Sequence, residues 1–385
     1  MPALPFLLAA IFLDLLGLGL IRPVLPLFVQ SVFGASIVQV SWIPAAFGIG
    51  KLLADLPAGL LMDRMGRTRL MAAGLFLVAT VDVLSALEVH LPRFLVLRCL
   101  AGLGFGFFVT TAAAAVLDLA PAAGRGRYMG WYLLVGDLGA VLGASAGGWM
   151  YEHAGVRVPF FAKALVAGTA AALAARAPLQ GSRGEGTAAA TAATAIRLPG
   201  LARVSLVNMI LFMADVGILA VLLPLFLGAR GLSPQGIGLF IALVAAAQIA
   251  ALFVGSRLAD RWGRIAVLAP ALLVYAGGLL ALSTGVGPWQ FVLATLTIGA
   301  GSGAARAVPV ALVGDLAPAP LRGAAMGVFR TFTDVGMIAG PILLGWSAAV
   351  AGFTMAFWTA AGGLVLAIPL LVGIRRSPHC SANIG

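Results

Sequence analysis

The chain has 385 residues, of which 62% are hydrophobic and 10% charged. Charged residues make up about 25% of an ordinary soluble domain, and a water-soluble fold has no place for this much apolar side chain, so a soluble globular protein is excluded. The formal net charge of +11 would suit nucleic acid only if the basic residues gathered on a soluble domain; they do not, and no nucleic-acid partner is expected.

A spanning helix needs about 20 mostly apolar residues to cross about 30 Å of hydrocarbon. Runs of that length predict twelve spans, starting near Phe6, Ile37, Leu70, Phe94, Tyr128 and Val156, then near Leu201, Gln235, Ile265, Trp289, Gly323 and Gly352. No water reaches that depth, so every backbone N–H and C=O must bond internally and the spans are read as helices. The expected fold class is therefore an all-α membrane protein. The first span follows Met1 almost directly and carries Asp14, which argues against a cleaved signal peptide. Pro23 and Pro26 are expected to bend the first helix, and Pro224 the seventh. Trp42, Trp149, Trp289 and Trp346 fall near span ends, where interfacial anchors sit.

Basic residues fall on one side. Fifteen of the 24 Lys and Arg lie in alternate loops and the C-terminal tail, from Arg64, Arg67 and Arg69 to Arg375 and Arg376, whereas the opposite loops hold Arg93, Arg157 and Arg230. By the positive-inside rule both termini are expected in the cytoplasm, with the chain in the cell (inner) membrane. Cys99 sits in a span and Cys380 in the tail, while His90, His153 and His379 lie outside the spans, so no disulfide framework or metal site is expected. No nucleophile–base constellation marks an enzyme, and no cofactor is implied.

The strongest internal signal is a repeat displaced by 197 residues. Asp118 to Trp149 matches Asp315 to Trp346 without a gap, with 14 of 32 positions identical. The same displacement pairs Asp63-Arg64-x-Gly66-Arg67 with Asp260-Arg261-x-Gly263-Arg264, and Gly102, Gly104 and Gly106 with Gly299, Gly301 and Gly303. Six spans per copy is an even number, so both copies enter the membrane in the same direction, as parallel repeats do in transporters. The expected organisation is a six-helix bundle over 1–177, a flexible cytoplasmic linker over 178–200 rich in Ala, Thr and Gly, and a second bundle over 201–385.

Gly59-x-x-x-Asp63-Arg64-x-Gly66-Arg67 resembles the loop motif of the major facilitator superfamily between its second and third helices. It departs in having Thr68 where a basic residue is usual, with Arg69 next, and the second copy has Ser256 for the leading Gly. Three further patterns are similar to those of the twelve-helix drug:proton antiporters. They are Leu16-Gly17 with Pro23-Val24-x-Pro26, then Arg98-x-x-Ala101-Gly102-x-Gly104, and Gly130 with Gly139, Gly143, Gly147 and Gly148. Ala101 stands in place of the usual Gln, and Ala144 in place of a Pro that the repeat keeps as Pro341. The resemblance implies the major facilitator fold, two pseudo-symmetric six-helix bundles, working by alternating access and favouring export. It also implies that Asp63, Arg64, Gly66, Arg67 and Asp118, with Asp260, Arg261, Gly263, Arg264 and Asp315, latch the cytoplasmic side, rather than only fixing topology.

Inside the spans lie six acids (Asp14, Asp55, Asp82, Asp137, Asp215, Asp334) and six bases (Arg22, Lys51, Arg98, Lys163, Arg306, Arg330). Each costs about 2.5–3.5 kcal/mol or more at mid-bilayer, so pairing or function must explain it. Lys51–Asp55 and Arg330–Asp334 stand four apart and can neutralise each other along one helix face. The resemblance places Asp14, Arg22, Arg98, Asp215 and Arg306 on helices around a central cavity. Asp14 leads as the proton-coupling site, with Asp137, Asp215 and Asp334 behind it, while Arg98 would tune an acid or hold an anionic group. Gly139, Gly143 and Gly147 read more plainly as a flat stripe for close helix contact. The expected function is proton-coupled export of a small, often lipophilic molecule by a monomer, with the proton gradient as energy source. Two alternatives stay open: uptake or exchange of an anionic metabolite held by Arg22, Arg98 and Arg306, and a non-transporting receptor on the same fold.

Overall fold

The computed structural model describes residues 3–121, 124–177, 194–285, 287–318, 321–372 and 374, without the side chains of 56, 60, 63, 125, 126 and 307. The expected linker lies outside the described residues over 178–193, as does the side chain of Asp63. Every regular element among the described residues is helical: α1 (Ala3–Ile21), α2 (Leu25–Phe33), α3 (Ile37–Met65), α4 (Arg67–Leu87), α5 (Leu91–Leu119), α6 (Arg125–His153), α7 (Val158–Arg176), α8 (Leu201–Gly217), α9 (Leu223–Ala229), α10 (Pro234–Trp262), α11 (Arg264–Thr284), α12 (Pro288–Leu316) and α13 (Arg322–Ala367). Eleven stretches of these residues are long and apolar enough to cross a membrane. The last of them holds two of the twelve expected spans, because the backbone of α13 leaves helical geometry at Gly352 (φ 82°, ψ 169°).

The repeat read from sequence reappears in the helix ends themselves. Displaced by 197 residues, α3 becomes α10, α4 becomes α11 and α5 becomes α12, with both ends in register, and α6 and α13 begin in register. Turn glycines with positive φ pair the same way: Gly34 with Gly231, Gly66 with Gly263, Gly155 with Gly352. Gly66 (φ 82°, ψ 152°) is the single residue between α3 and α4, and Gly263 (φ 95°, ψ 149°) the single residue between α10 and α11. Reversing a chain in one residue needs a backbone conformation closed to side chains with a Cβ, which explains the Gly in both copies of the loop motif.

Both proline bends are present in different forms. α1 stops at Ile21, and α2 resumes with Pro26 in its first turn. In the seventh span the bend precedes Pro224, as a π-helical stretch at Ile218–Leu222. The proline ring removes a donor and crowds the carbonyl four residues back, which widens the turn there. Between α4 and α5, Glu88 Oε1 accepts the backbone N–H groups of Val89 and His90, both at 2.9 Å. Those two donors, led by His90, hold the Glu88 carboxyl below its usual range.

Large apolar side chains cover the outside: Phe76, Leu165, Trp289, Val350 and Leu366 are each at least two-thirds exposed. Such a surface is stable only against lipid, and the chain is a multi-pass membrane protein.

Packing divides the chain into two compact units, Met1–Gly186 with Ala220–Ala245, and Thr187–Leu219 with Ala246–Gly385. The repeat halves expected from sequence, 1–177 and 201–385, thus differ from the packed units over 220–245. Within the first unit, a Cβ on Gly148 of α6 would meet the Pro234 carbonyl and Gly238, and one on Gly238 would meet Ala144. One turn further on, Glu152 Oε2 accepts the Gln235 N–H at 2.8 Å. This close backbone contact, capped by a carboxylate at a helix N-terminus, is what ties the start of α10 to α6.

Candidate functional site

Four helices of the first unit converge on one group of ionisable side chains. The inward stripe of α1 runs Leu7, Ala10, Ile11, Asp14, Gly17, so helical spacing aims Asp14 at the bundle interior. The stripe of α4 brings Asp82 and Ser85 inward after Val78 and Val81. Arg98 comes from α5 and Lys163 from α7. Asp14 is 3% exposed, Asp82 0%, Arg98 1% and Lys163 3%. Toward the ends at Ala3 and Leu119, a layer of Leu7, Ile11, Met71, Leu75 and Phe108 closes the bundle.

Asp82 is the hub. Arg98 Nη2 donates to Asp82 Oδ1 at 2.9 Å and to Ser85 Oγ at 2.5 Å. Lys163 Nζ lies 2.5 Å from Asp82 Oδ2. The guanidinium of Arg98 also sits 5.2 Å from the Phe94 ring centroid and 5.6 Å from that of Phe160, within cation–π range. Asp14 stands apart: its Oδ2 is buried and accepts no hydrogen bond, while the carboxylate lies within electrostatic reach of Lys163 and Asp82. Two acids and two bases balance when all four are ionised. Such a group is tolerable in low dielectric only while each charge keeps its counterpart.

Asp82 and Lys163 count among the intramembrane charges by sequence but receive no partner there. The available signal is charge balance: setting aside Lys51–Asp55, the first half still holds three acids (Asp14, Asp82, Asp137) and three bases (Arg22, Arg98, Lys163) in its spans. Arg98, which has no partner along its own helix, finds one on α4. The other candidates are spread more widely. Lys51 Nζ bonds Asp55 Oδ2 at 2.7 Å, and the Thr110 hydroxyl donates to Asp55 Oδ1 at 2.5 Å. Arg22, Asp137 and Arg306 are half-buried. Arg330 is exposed while Asp334 is buried, so the two lie in different environments despite their spacing.

The second unit holds a separate polar group. Gln248 Nε2 donates to Asp215 Oδ1 at 3.1 Å and to Ser302 Oγ at 2.9 Å, and Asn208 Nδ2 donates to Thr333 Oγ1 at 2.7 Å. Gln248, Ser302 and Asn208 are neutral, so a search for intramembrane charges passes over them.

The antiporter-motif glycines act in packing. A Cβ on Gly139, Gly143 or Gly147 would strike the backbone oxygens of Phe12, Leu16 and Leu20 in turn, so α6 lies directly on α1. Gly148 faces α10, and Gly130 faces open space. In the second unit Gly336 and Gly340 meet the carbonyls of Met209 and Met213, the same contacts displaced by 197 residues.

The loop motif closes each repeat at the end opposite the α4–α5 turn. Arg67 pairs with Asp118, and Arg264 Nη1 meets Asp315 Oδ2 at 2.8 Å, each joining the start of one helix to the end of the next. Asp118 and Asp315 are about one-third exposed, so each pair contributes about 1 kcal/mol or less to stability. Arg67→Ala and Arg264→Ala are therefore expected to leave the melting temperature within a few degrees of wild type while slowing transport. A large fall in melting temperature would show these pairs to be structural.

Two repeats of apolar helices with ionisable residues buried among them fit a transporter architecture. The sequence pattern of the Major Facilitator Superfamily matches residues 7–207 and 204–384, and the chain belongs to that superfamily of transporters. It is 28% identical over 364 residues to multidrug resistance protein MdtG of Salmonella paratyphi A, covering 91% of this chain and 90% of that one. It is 32% identical over 161 residues to multidrug resistance protein 2 of Bacillus subtilis (strain 168), covering 42% of this chain and 40% of that one. Among solved structures, the fold is similar to the nucleoside transporter NupG (TM-score 0.81, 14% identity, covering 96% of this chain and 98% of that one). It is also similar to the D-xylose-proton symporter (TM-score 0.80, 17% identity, covering 96% and 97%).

Proposed function

We propose that this protein exports small lipophilic molecules in exchange for protons by alternating access, with Asp14 as the proton acceptor. The observation that carries this reading is the Asp14 carboxylate: almost fully buried, with one oxygen lacking a hydrogen bond, beside a charge group that can balance it. A carboxyl in such a place changes the charge of its surroundings when it takes a proton, which is what a coupling site must do. The relatives named multidrug resistance proteins support export, and the basic loops support a cytoplasmic membrane with both termini inside. Each net charge moved through the cycle gains about 2.3 kcal/mol per ~100 mV of membrane potential.

The competing reading, an anionic metabolite held by Arg22, Arg98 and Arg306, loses its central residue. Arg98 is 1% exposed and committed to Asp82, Ser85 and two aromatic faces.

The test is transport in proteoliposomes across a chemically broad panel of lipophilic cations and neutral drugs. An imposed proton gradient should drive uptake of at least one compound by wild type, and Asp14→Asn should reduce that uptake to the level of protein-free vesicles. Undiminished gradient-driven uptake by Asp14→Asn would remove Asp14 from the coupling path.

A further inference from the structure

The charge group contains two cations held in very different ways. Arg98 is fixed: it donates to Asp82 and Ser85, is flanked by Phe94 and Phe160, and cannot release its proton. Lys163 has an ammonium on a flexible four-carbon stem, and its ion pair is with Asp82 Oδ2 at 2.5 Å. That stem crosses α1 at Gly17, where an added Cβ would lie 3.1 Å from Lys163 Cγ. Gly17 is three residues beyond Asp14, so both lie on the same face of α1. The charged groups within electrostatic reach of Lys163 are Asp82, Arg98 and Asp14.

From this geometry we propose that Lys163 is the moving part of the coupling site, a positioning residue whose ammonium leans from Asp82 toward Asp14 when Asp14 loses its proton and returns when Asp14 is protonated. The inference rests on the proton-coupled reading above. Deprotonated Asp14 is balanced within the group of four but has no hydrogen-bonded counter-ion on its Oδ2, and Lys163, on its flexible stem, is the cation of the group that can answer it. Asp82 can release Lys163 because Arg98 and its bond to Oδ1 remain. Protonation of Asp14 leaves the group with one surplus positive charge, shared by Arg98 and Lys163 against Asp82. In this scheme the proton passes on and off Asp14, and no other bond changes. The missing Cβ at Gly17 is what lets the stem lie against α1 on the face that carries Asp14.

The experiment compares two fluxes in proteoliposomes for one compound that wild type transports: uptake driven by an imposed proton gradient, and exchange of labelled for unlabelled compound with no gradient. The variants are Lys163→Gln, Asp82→Asn/Lys163→Gln and Gly17→Ala, with protein folding checked by melting temperature. A moving Lys163 predicts that the ratio of driven uptake to exchange falls at least about tenfold in Lys163→Gln, a loss equivalent to about 1.4 kcal/mol of coupling. Asp82→Asn/Lys163→Gln should recover thermal stability, because it removes a charge of each sign, and yet stay uncoupled. Gly17→Ala, which alters no charge, should lower the same ratio by a smaller factor. The idea is overturned if Lys163→Gln keeps the wild-type ratio, or if the double variant restores it, since either result makes Lys163 a counter-ion for Asp82 and nothing more. Absence of gradient-driven uptake in wild type would sink the proton-coupled reading itself, and this one with it; a coupled wild type with a coupled Lys163→Gln sinks only the second.

Discussion

Asp82→Ala is expected to destabilise the protein by about 3–5 kcal/mol, because it strands two buried cations at once. Arg98 and Lys163 are each at least 97% buried, and both depend on Asp82 for their counter-charge. The measurement is thermal unfolding in detergent, followed by tryptophan fluorescence, at matched expression. Loss of one charge should prove worse than loss of all four. The second repeat already carries an uncharged alternative: Asp14, Asp82, Arg98 and Lys163 correspond at the 197-residue displacement to Leu211, Leu279, Thr295 and Ala360. All four of those residues are buried as well. A quadruple variant copying them (Asp14→Leu, Asp82→Leu, Arg98→Thr, Lys163→Ala) should recover much of the stability that Asp82→Ala loses, since an apolar replacement of a buried ion group is often neutral or better. Transport driven by protons should be absent from it. A quadruple variant less stable than Asp82→Ala would mean that the charges hold this bundle together rather than serve a function within it.

The second large effect concerns the α1–α6 contact. Gly147→Leu is expected to cost about 3 kcal/mol, the upper end for overpacking, because its side chain would be driven into the backbone of Leu20. The second repeat solves the same contact the other way round. There the residue equivalent to Gly147 is Leu344, and the residue equivalent to Leu20 is Gly217, whose added Cβ would meet the Leu344 side chain. The large and small partners have changed places. Leu20→Gly leaves the Leu20 backbone in the way, so it is expected not to rescue Gly147→Leu unless α1 and α6 re-space as their counterparts do in the second repeat. Melting temperatures of the two single variants and the double variant form a cycle that measures the coupling directly. A double variant that loses the sum of the two single losses is the result expected of a backbone clash, and one clearly more stable than that sum would show that the two helices can re-space.

Much of the architecture is legible in the sequence because lipid leaves few choices. A spanning segment must be apolar and helical, so runs between Gly, Pro and Arg give the spans, and duplication gives the register. Gly66 and Gly263 are legible as motif residues, but their single-residue turn is a backbone property that only coordinates display. The charge group is half-legible. Composition reveals that Asp82, Arg98 and Lys163 are buried at a cost, yet their partners come from three different helices, and no spacing rule links residues so far apart in the chain. Lys51–Asp55, by contrast, is readable from a spacing of four. The packing of 220–245 with the first unit is invisible to the repeat, because it depends on Gly148 and Gly238 allowing two backbones to touch.

The ionisable group sits on one side of the internal repeat. A chain assembled from two copies of the present first repeat would hold two such groups, and one assembled from two copies of the second would hold none. The two repeats thus divide the work: one holds a four-member ion group between its helices, while the other carries uncharged side chains at the same four positions and places its neutral hydrogen-bonding residues elsewhere.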